Sequence, residues 1–172
     1  MIKQPPAKFN IEKIDPSILA EIGKIIAWWG YLQFQLGVII REATISPQDV
    51  GYLLTIGSDT ADLCKMVKNI SKTSRWINDS GIRKDLHKLA GGILAASGHR
   101  NEYAHGVFGF SKTGPSNFVR HHLKVVDDKV FLAEEVLTVK TLQIISGEAR
   151  ELWNRAQDIT HRLKNSNRRG SH

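Results

Sequence analysis

The 172-residue chain is poor in several residue types, and each shortage excludes a class of protein. Its one cysteine, Cys64, excludes an intramolecular disulfide and a cysteine-rich zinc site. Hydrophobic residues make up 41% of the chain and charged residues 24%, which excludes a disordered chain, a collagen and a coiled-coil rod. A chain of this length can bury a core of its own, so we expect one domain that folds without disulfide or metal support.

Long hydrophobic runs are also lacking. Residues 1–10 are polar and contain two prolines, so no signal peptide is predicted. The stretch 25–40 is apolar but has only 16 residues and includes Gln33 and Gln35, which makes it too short and too polar to cross a membrane. We expect a buried core helix there, no membrane partner, and a cytoplasmic protein, since a single unpaired cysteine suits a reducing compartment.

Acidic residues are scarce relative to basic ones. Asp and Glu number 17 against 24 Lys and Arg, which gives a net charge of +7, and the isoelectric point is about 9.6. This balance favours a polyanionic partner, such as RNA, DNA or an acidic membrane face, although a solvated basic surface is the plain alternative. Residues 168–172 resemble a tail or an expression-tag remnant, so the predicted domain spans residues 1–167.

The first long helix is predicted from its start signal and its apolar spacing. Asp15 and Pro16 are typical of an N-cap and a first helical position. Apolar residues then recur at alternating spacings of four and three, at Ile18, Ile22, Ile25, Trp29, Leu32, Leu36 and Ile39. This seam predicts a helix over 16–43. Tyr31 and Phe34 lie off the seam, so the helix is either central in the fold or part of a homodimer interface.

Three further helices are predicted, over 59–75, from about 80 to 105, and from about 138 onwards. Between the last two, the composition turns strand-like in the segments 107–110, 118–126 and 130–132. We interpret these segments as a small β-hairpin. The predicted fold is therefore all-α, a bundle of four to five helices with a small β-hairpin inserted before the last long helix.

Arg100 occupies a position on the apolar seam of the third predicted helix. A guanidinium group stays charged, so burying it without a partner is very costly. Either it pairs with an internal carboxylate, for which Glu21 and Glu42 are candidates, or the seam opens into a cleft. A cleft arginine is suited to phosphate, which its planar fork can hold through two hydrogen bonds.

Asn101 and His105 are four residues apart and so share one helical face. A histidine can donate and accept protons in phosphodiester cleavage, and Asn101 could orient its ring. Arg100 is about 140° from His105 around an ideal helix, so the two converge only if the helix loosens before Gly106 or Arg100 reaches round. The plain alternatives are that His105 caps the helix and Arg100 forms an internal ion pair.

The run from Arg100 to Gly106, RNEYAHG, resembles the signature of the HEPN superfamily. The resemblance implies a helical-bundle protein that forms a homodimer with its two motifs facing a shared cleft. It further implies a metal-independent endoribonuclease, related to toxins or phage defence, with a protein antitoxin or regulator as a further partner. His105 would then act in acid/base catalysis, Arg100 would bind the phosphate, and Asn101 would support them. The alternative is a non-catalytic HEPN-like module that binds a nucleotide, RNA or a protein.

Further basic residues are weaker candidates for RNA contacts. Lys65 and Lys68 fall on one face of the second predicted helix, and Arg120 and Lys124 fall on the predicted hairpin. Solvated side chains are the default reading of both pairs. The chain has no phosphate-binding loop, dinucleotide fingerprint or zinc-ligand spacing, so we predict no cofactor and no metal. A DNA-binding regulator would be supported by net charge alone.

Overall fold

The structure, a computed structural model, describes residues 13–44, 51, 53, 55–73, 77–111, 118–126 and 129–169, without the side chains of residues 124–126, 168 and 169. Its main elements, in chain order, are α1 (Pro16–Thr44), α2 (Thr60–Ser71), α3 (Ser80–Ala104), β1 (Val107–Phe110), β2 (Phe118–Val126), β3 (Lys129–Val136) and α4 (Val139–Arg169). The four predicted helices are present. Helix α4 includes residues 168 and 169, the first two of the expected tail.

Each helix begins after a residue whose side chain accepts a hydrogen bond from the first turn. These residues are, in chain order, Asp15, Asp59, Asp79 and Thr138. At the start of α3, the Oδ1 atom of Asp79 accepts from the backbone N–H groups of Gly81 at 2.7 Å and Ile82 at 3.0 Å. Such caps satisfy donors that have no partner within the helix, which fixes where each helix starts.

Helix α1 is the central helix of the bundle. It packs against α4 along much of its length and also against α2 and α3. Six of its seven seam residues are buried, and the seventh, Ile22, is half-buried. The predicted seam is therefore confirmed. Within the described ranges, no helix is both long and apolar enough to cross a membrane.

Polar contacts fix the register of α1 against α4. The side-chain amide of Gln35 donates to Thr160 Oγ1 at 2.6 Å and accepts from Gln157 Nε2 at 2.8 Å. Nearer the start of α1, Ser146 Oγ donates to Glu21 Oε2 at 3.1 Å. Buried polar groups are costly without partners, so these bonds favour one alignment of the two helices over its neighbours.

The segment between α3 and α4 forms a three-stranded antiparallel sheet in the order β1-β2-β3, so the prediction of a hairpin was incomplete. The two aromatic residues of β1 pack on Phe118 of β2. The rings of Phe108 and Phe118 stack with their centroids 5.8 Å apart, and Phe110 meets Phe118 edge-on at the same distance. These three rings face the helical core and attach the sheet to the bundle.

The opposite face of the sheet, which we call the outer sheet face, carries exposed apolar side chains. Strand register places Val107, His121 and Glu134 side by side on this face, and Leu123 beside Leu132. Val107 is 62% exposed, Leu123 72% and Leu132 64%. Exposed apolar patches of this kind are typical of interaction surfaces.

Candidate functional site

The motif residues lie where α3 ends and the chain turns into the sheet. Helical geometry stops at Ala104, and His105 takes a non-helical conformation with φ −123° and ψ 7°. The backbone N–H of His105 still donates to the carbonyl oxygen of Asn101 at 3.0 Å. The helix therefore loosens before Gly106, which is one of the two conditions under which Arg100 and His105 can converge.

Gly106 is required at this turn for steric reasons. A Cβ atom at position 106 would lie 2.3 Å from the backbone oxygen of Glu102 and 3.0 Å from Cζ of Phe108. Backbone oxygen cannot move aside as a flexible side chain can, so only glycine fits without a shift of the chain. The glycine allows β1 to start with only two residues between it and the helix, directly beside the motif.

Arg100 is half-buried and makes its hydrogen bond within the motif. Its Nη1 atom donates to Oδ1 of the adjacent Asn101 at 2.9 Å. The two carboxylates considered as internal partners are engaged elsewhere, since Glu21 pairs with Lys24 and Glu42 with Arg41, each at 2.8 Å. Neither of these two candidate carboxylates therefore forms an ion pair with Arg100.

Asn101 contacts both of the other motif residues. Its side-chain oxygen accepts from Arg100, and its backbone oxygen accepts from His105. The sequence predicted that the Asn101 side chain orients the imidazole, whereas the structure directs that side chain to the guanidinium. The imidazole belongs to an exposed residue. The side chains of Arg100 and Asn101 are thus bonded to each other at the end of α3. His105 is tied to them by a backbone bond, and its exposed side chain lies on a part of the surface that a ligand can reach.

Arg120 is the residue that the sequence placed least well. We expected it on an exposed hairpin, but it is only 8% exposed, so that expectation is wrong. Its Nη1 lies 3.1 Å from Glu102 Oε2, its Nε donates to Glu135 Oε2 at 3.0 Å, and its guanidinium carbon lies 5.4 Å from the ring centroid of Tyr103. The guanidinium is engaged by protein groups, which argues against a role in gripping an RNA backbone.

The ion pairs compensate the burial of the Arg120 charge. Burial by itself lowers the pKa of Arg120, but the hydrogen bond and the charge of Glu135, with the charge of Glu102, outweigh it, and the net shift is upward. Tyr103 is 3% exposed, and burial raises the pKa of its hydroxyl. Tyr103 is therefore a packing residue.

The other basic candidates lie on α2 and on β2. Lys65 is exposed on α2, and its Nζ lies 2.9 Å from Asp62 Oδ1. Lys68, one turn further along α2, is half-buried. Lys124 lies on β2, and its side chain is outside the described part of the protein. Because Arg120 is buried and Lys65 is exposed, the four residues do not share one exposed surface.

Metal-ligating and nucleophilic residues do not form a second centre in the described part of the chain. There, no group of three or more His, Cys, Asp or Glu residues is placed to hold a metal ion. His121 and His122 are adjacent on β2 and so point to opposite faces of the sheet, which makes them a poor pair for one metal ion. Cys64 is fully buried in the core, and burial raises the pKa of its thiol to about 11.

No protein-family model, curated protein or solved structure matches this chain. The feature that supports a function is therefore the geometry at the end of α3. The arginine and asparagine side chains are bonded to each other there, and an exposed histidine follows within one helical turn. Its backbone N–H donates to the asparagine carbonyl, next to a turn in which a Cβ atom does not fit.

Proposed function

We propose that this protein is a metal-independent endoribonuclease of HEPN type, with Arg100, Asn101 and His105 at its catalytic centre. The observation that carries the proposal is the position of Asn101, which bonds to the Arg100 side chain and to the His105 backbone. This arrangement holds a cation that can bind phosphate close in the chain to an exposed imidazole that can transfer protons. The net charge of +7 favours RNA as a partner.

The chemistry that suits these groups is attack by the ribose 2′-hydroxyl on the adjacent phosphorus. The O2′–P bond forms and the P–O5′ bond breaks, which leaves a 2′,3′-cyclic phosphate and a free 5′-hydroxyl. His105 takes the proton from the 2′-hydroxyl or supplies one to the leaving oxygen, and Arg100 stabilises the charge on the phosphate. DNA lacks the 2′-hydroxyl and is not cleaved by this route.

A homodimer is part of the proposal, because a second copy of His105 could carry out the other proton transfer. Support for a dimer comes from the apolar stripe on α1 that faces away from the core. Ile26 is 46% exposed, Tyr31 59% and Phe34 69%. A helix that is apolar on two sides is typical of a helix that also meets a partner. The cytoplasmic location and a protein antitoxin or regulator stay predictions from the sequence.

The test is cleavage of a panel of single-stranded and structured RNAs in the presence of EDTA. Wild type is compared with His105→Ala and Arg100→Ala, and with the controls His87→Ala and Arg150→Ala, which remove exposed side chains elsewhere on α3 and α4. We expect the two motif variants to lose activity and the two controls to keep it. The products should carry 2′,3′-cyclic phosphate ends, and a 2′-deoxy substitution at the cleaved position should block the reaction.

A non-catalytic module is the second candidate, and the outer sheet face favours it. Val107, Leu123 and Leu132 expose apolar surface beside the motif end of α3, which suits a protein partner. This candidate predicts binding without turnover. Absence of cleavage across the panel, or equal cleavage by wild type and both motif variants, would contradict the ribonuclease proposal and leave the module in its place.

A further inference from the structure

Arg120 connects the motif end of α3 with the edge strand of the sheet. Its guanidinium contacts Glu102 on α3 and Glu135 on β3, and it lies over the ring of Tyr103. Glu135 is the register partner of Arg120 on the neighbouring strand, so this ion pair is built into the strand pairing. One buried cation therefore holds two separate elements together.

The two α3 residues that Arg120 contacts lie inside the motif. Glu102 and Tyr103 come directly after Asn101, and only Ala104 separates Tyr103 from His105. Tyr103 is buried and cannot swing away without leaving a cavity beneath the guanidinium. The position of the last turn of α3, and with it the position of His105, is therefore set by what holds residues 102 and 103.

The residue after His105 is also closely packed. Position 106 is packed against Phe108 and against the Arg120 side chain, since a Cβ there would lie 3.4 Å from Arg120 Cδ. The Arg120 side chain thus contacts the chain before His105 through its guanidinium and approaches the chain after His105 through its aliphatic part. The His105 side chain itself projects from an exposed residue between these two contacts.

We propose that Arg120 is a positioning residue for His105. By holding Glu102 and Tyr103 against β3, it fixes the point at which α3 ends and so fixes the imidazole relative to Arg100 and Asn101. The inference rests on the proposed ribonuclease function for its catalytic consequence. The structural part, that Arg120 orders the turn at His105, stands on the contacts alone.

Arg162 offers a matched control, because it also joins α3 to another element by an ion pair. The Nη1 atom of Arg162 lies 2.7 Å from Oδ2 of Asp85 and 3.5 Å from Oδ2 of Asp158. Asp85 is near the start of α3, far along that helix from the motif. A substitution of Arg162 removes an arginine and an ion pair to α3, and so lowers the stability of the fold. It leaves the contacts of the motif turn untouched.

The first readout is the kinetics of RNA cleavage by Arg120→Met, Arg120→Lys and Arg162→Met. We expect Arg120→Met to lower kcat by about 10- to 100-fold with little change in KM, because displaced catalytic groups lose rate rather than affinity. Arg120→Lys keeps the charge and should recover part of the rate. Arg162→Met should lower the thermal midpoint without lowering kcat. Full kcat in Arg120→Met, or an equal loss in Arg162→Met, would overturn the inference.

The second readout needs no activity. Amide hydrogen exchange followed by NMR reports the bond from the His105 N–H to the Asn101 carbonyl. In Arg120→Met this amide should exchange faster than in wild type, whereas amides in the middle of α3, such as that of Leu89, should be unchanged. If wild type cleaves no RNA, the proposed function fails, and the exchange at His105 still decides the positioning role. Unchanged exchange there would refute it.

Discussion

Replacing Gly106 by alanine should destabilise the protein, although most glycine-to-alanine changes in and around helices do the reverse. The new methyl group would lie 2.3 Å from the backbone oxygen of Glu102 and 3.0 Å from Phe108 Cζ. Both distances are shorter than a normal carbon contact, and the first involves backbone that belongs to α3. Forcing an extra methyl group into packed surroundings typically costs about 1–3 kcal/mol.

Gly98, which lies inside α3, provides the control. A Cβ atom at position 98 has no neighbour within 4 Å. Alanine in a helix interior is favoured over glycine by about 0.5–1 kcal/mol, so Gly98→Ala should stabilise the protein. The same chemical change should therefore have opposite signs at two positions that are eight residues apart.

Urea unfolding followed by circular dichroism, at one fixed protein concentration, measures both effects. For a chain of this size, each kcal/mol also shifts the thermal midpoint by roughly 2–4 °C. The urea concentration at the unfolding midpoint, and the thermal midpoint with it, should fall for Gly106→Ala and rise for Gly98→Ala. If Gly106→Ala were as stable as wild type, the turn would have room for a side chain, and the close approach of residue 106 to Glu102 would be refuted.

Three further predictions concern other parts of the molecule. The Cys64 thiol is buried and its pKa is raised to about 11, so it should resist alkylation by iodoacetamide at pH 8 in the native protein and react after unfolding in urea. Hydrogen bonding to Lys24 lowers the pKa of Glu21 below its usual 4.5. The ionised Glu21 carboxylate therefore contributes fully to stability above pH 4.5, and this contribution is lost as the pH falls through the lowered pKa. Glu21→Gln should accordingly flatten the acid side of a plot of thermal midpoint against pH. Phe34→Asp should convert a dimer to a monomer in light scattering, whereas Ile144→Asp, at a comparably exposed position on α4 (57% against 69%), should not; a wild-type monomer would contradict the proposed interface.

The helices could be predicted because their signals are local. Caps such as Asp59 and Asp79 act on backbone groups two or three residues away, and the seam of α1 repeats within each turn. Helix α2 is shorter than predicted, since it ends at Ser71 rather than near residue 75. At its end, Ser71 Oγ donates to the Lys68 carbonyl oxygen, and the Lys72 backbone N–H donates to the Asn69 carbonyl oxygen. These bonds close the last turn, and the composition did not indicate them.

The sheet and the role of Arg120 depend on contacts between distant segments. The three strand-like segments were recognised, but the pairing of β1 with β2 is decided by aromatic packing across a connection. The sequence predicts an exposed Arg120, because histidine and lysine follow it on β2. Its two carboxylate partners lie on other elements, so the local sequence does not reveal them. The alternation of strand faces puts Arg120 on the same side of the sheet as the core residue Phe118, and this was the only indication of its burial.

The pairing of α1 with α4 determines when the core can close during synthesis. The hydrogen bonds that align these helices join residues up to 125 positions apart, as for Gln35 with Thr160. At the usual speed of translation, about 5–20 residues per second, α1 waits roughly 6–25 s for its partner helix to be made. Its apolar seam is uncovered on that side for all of that time. The helix that ends in the motif is made during this interval, so the motif exists as a sequence well before the bundle that supports it is complete.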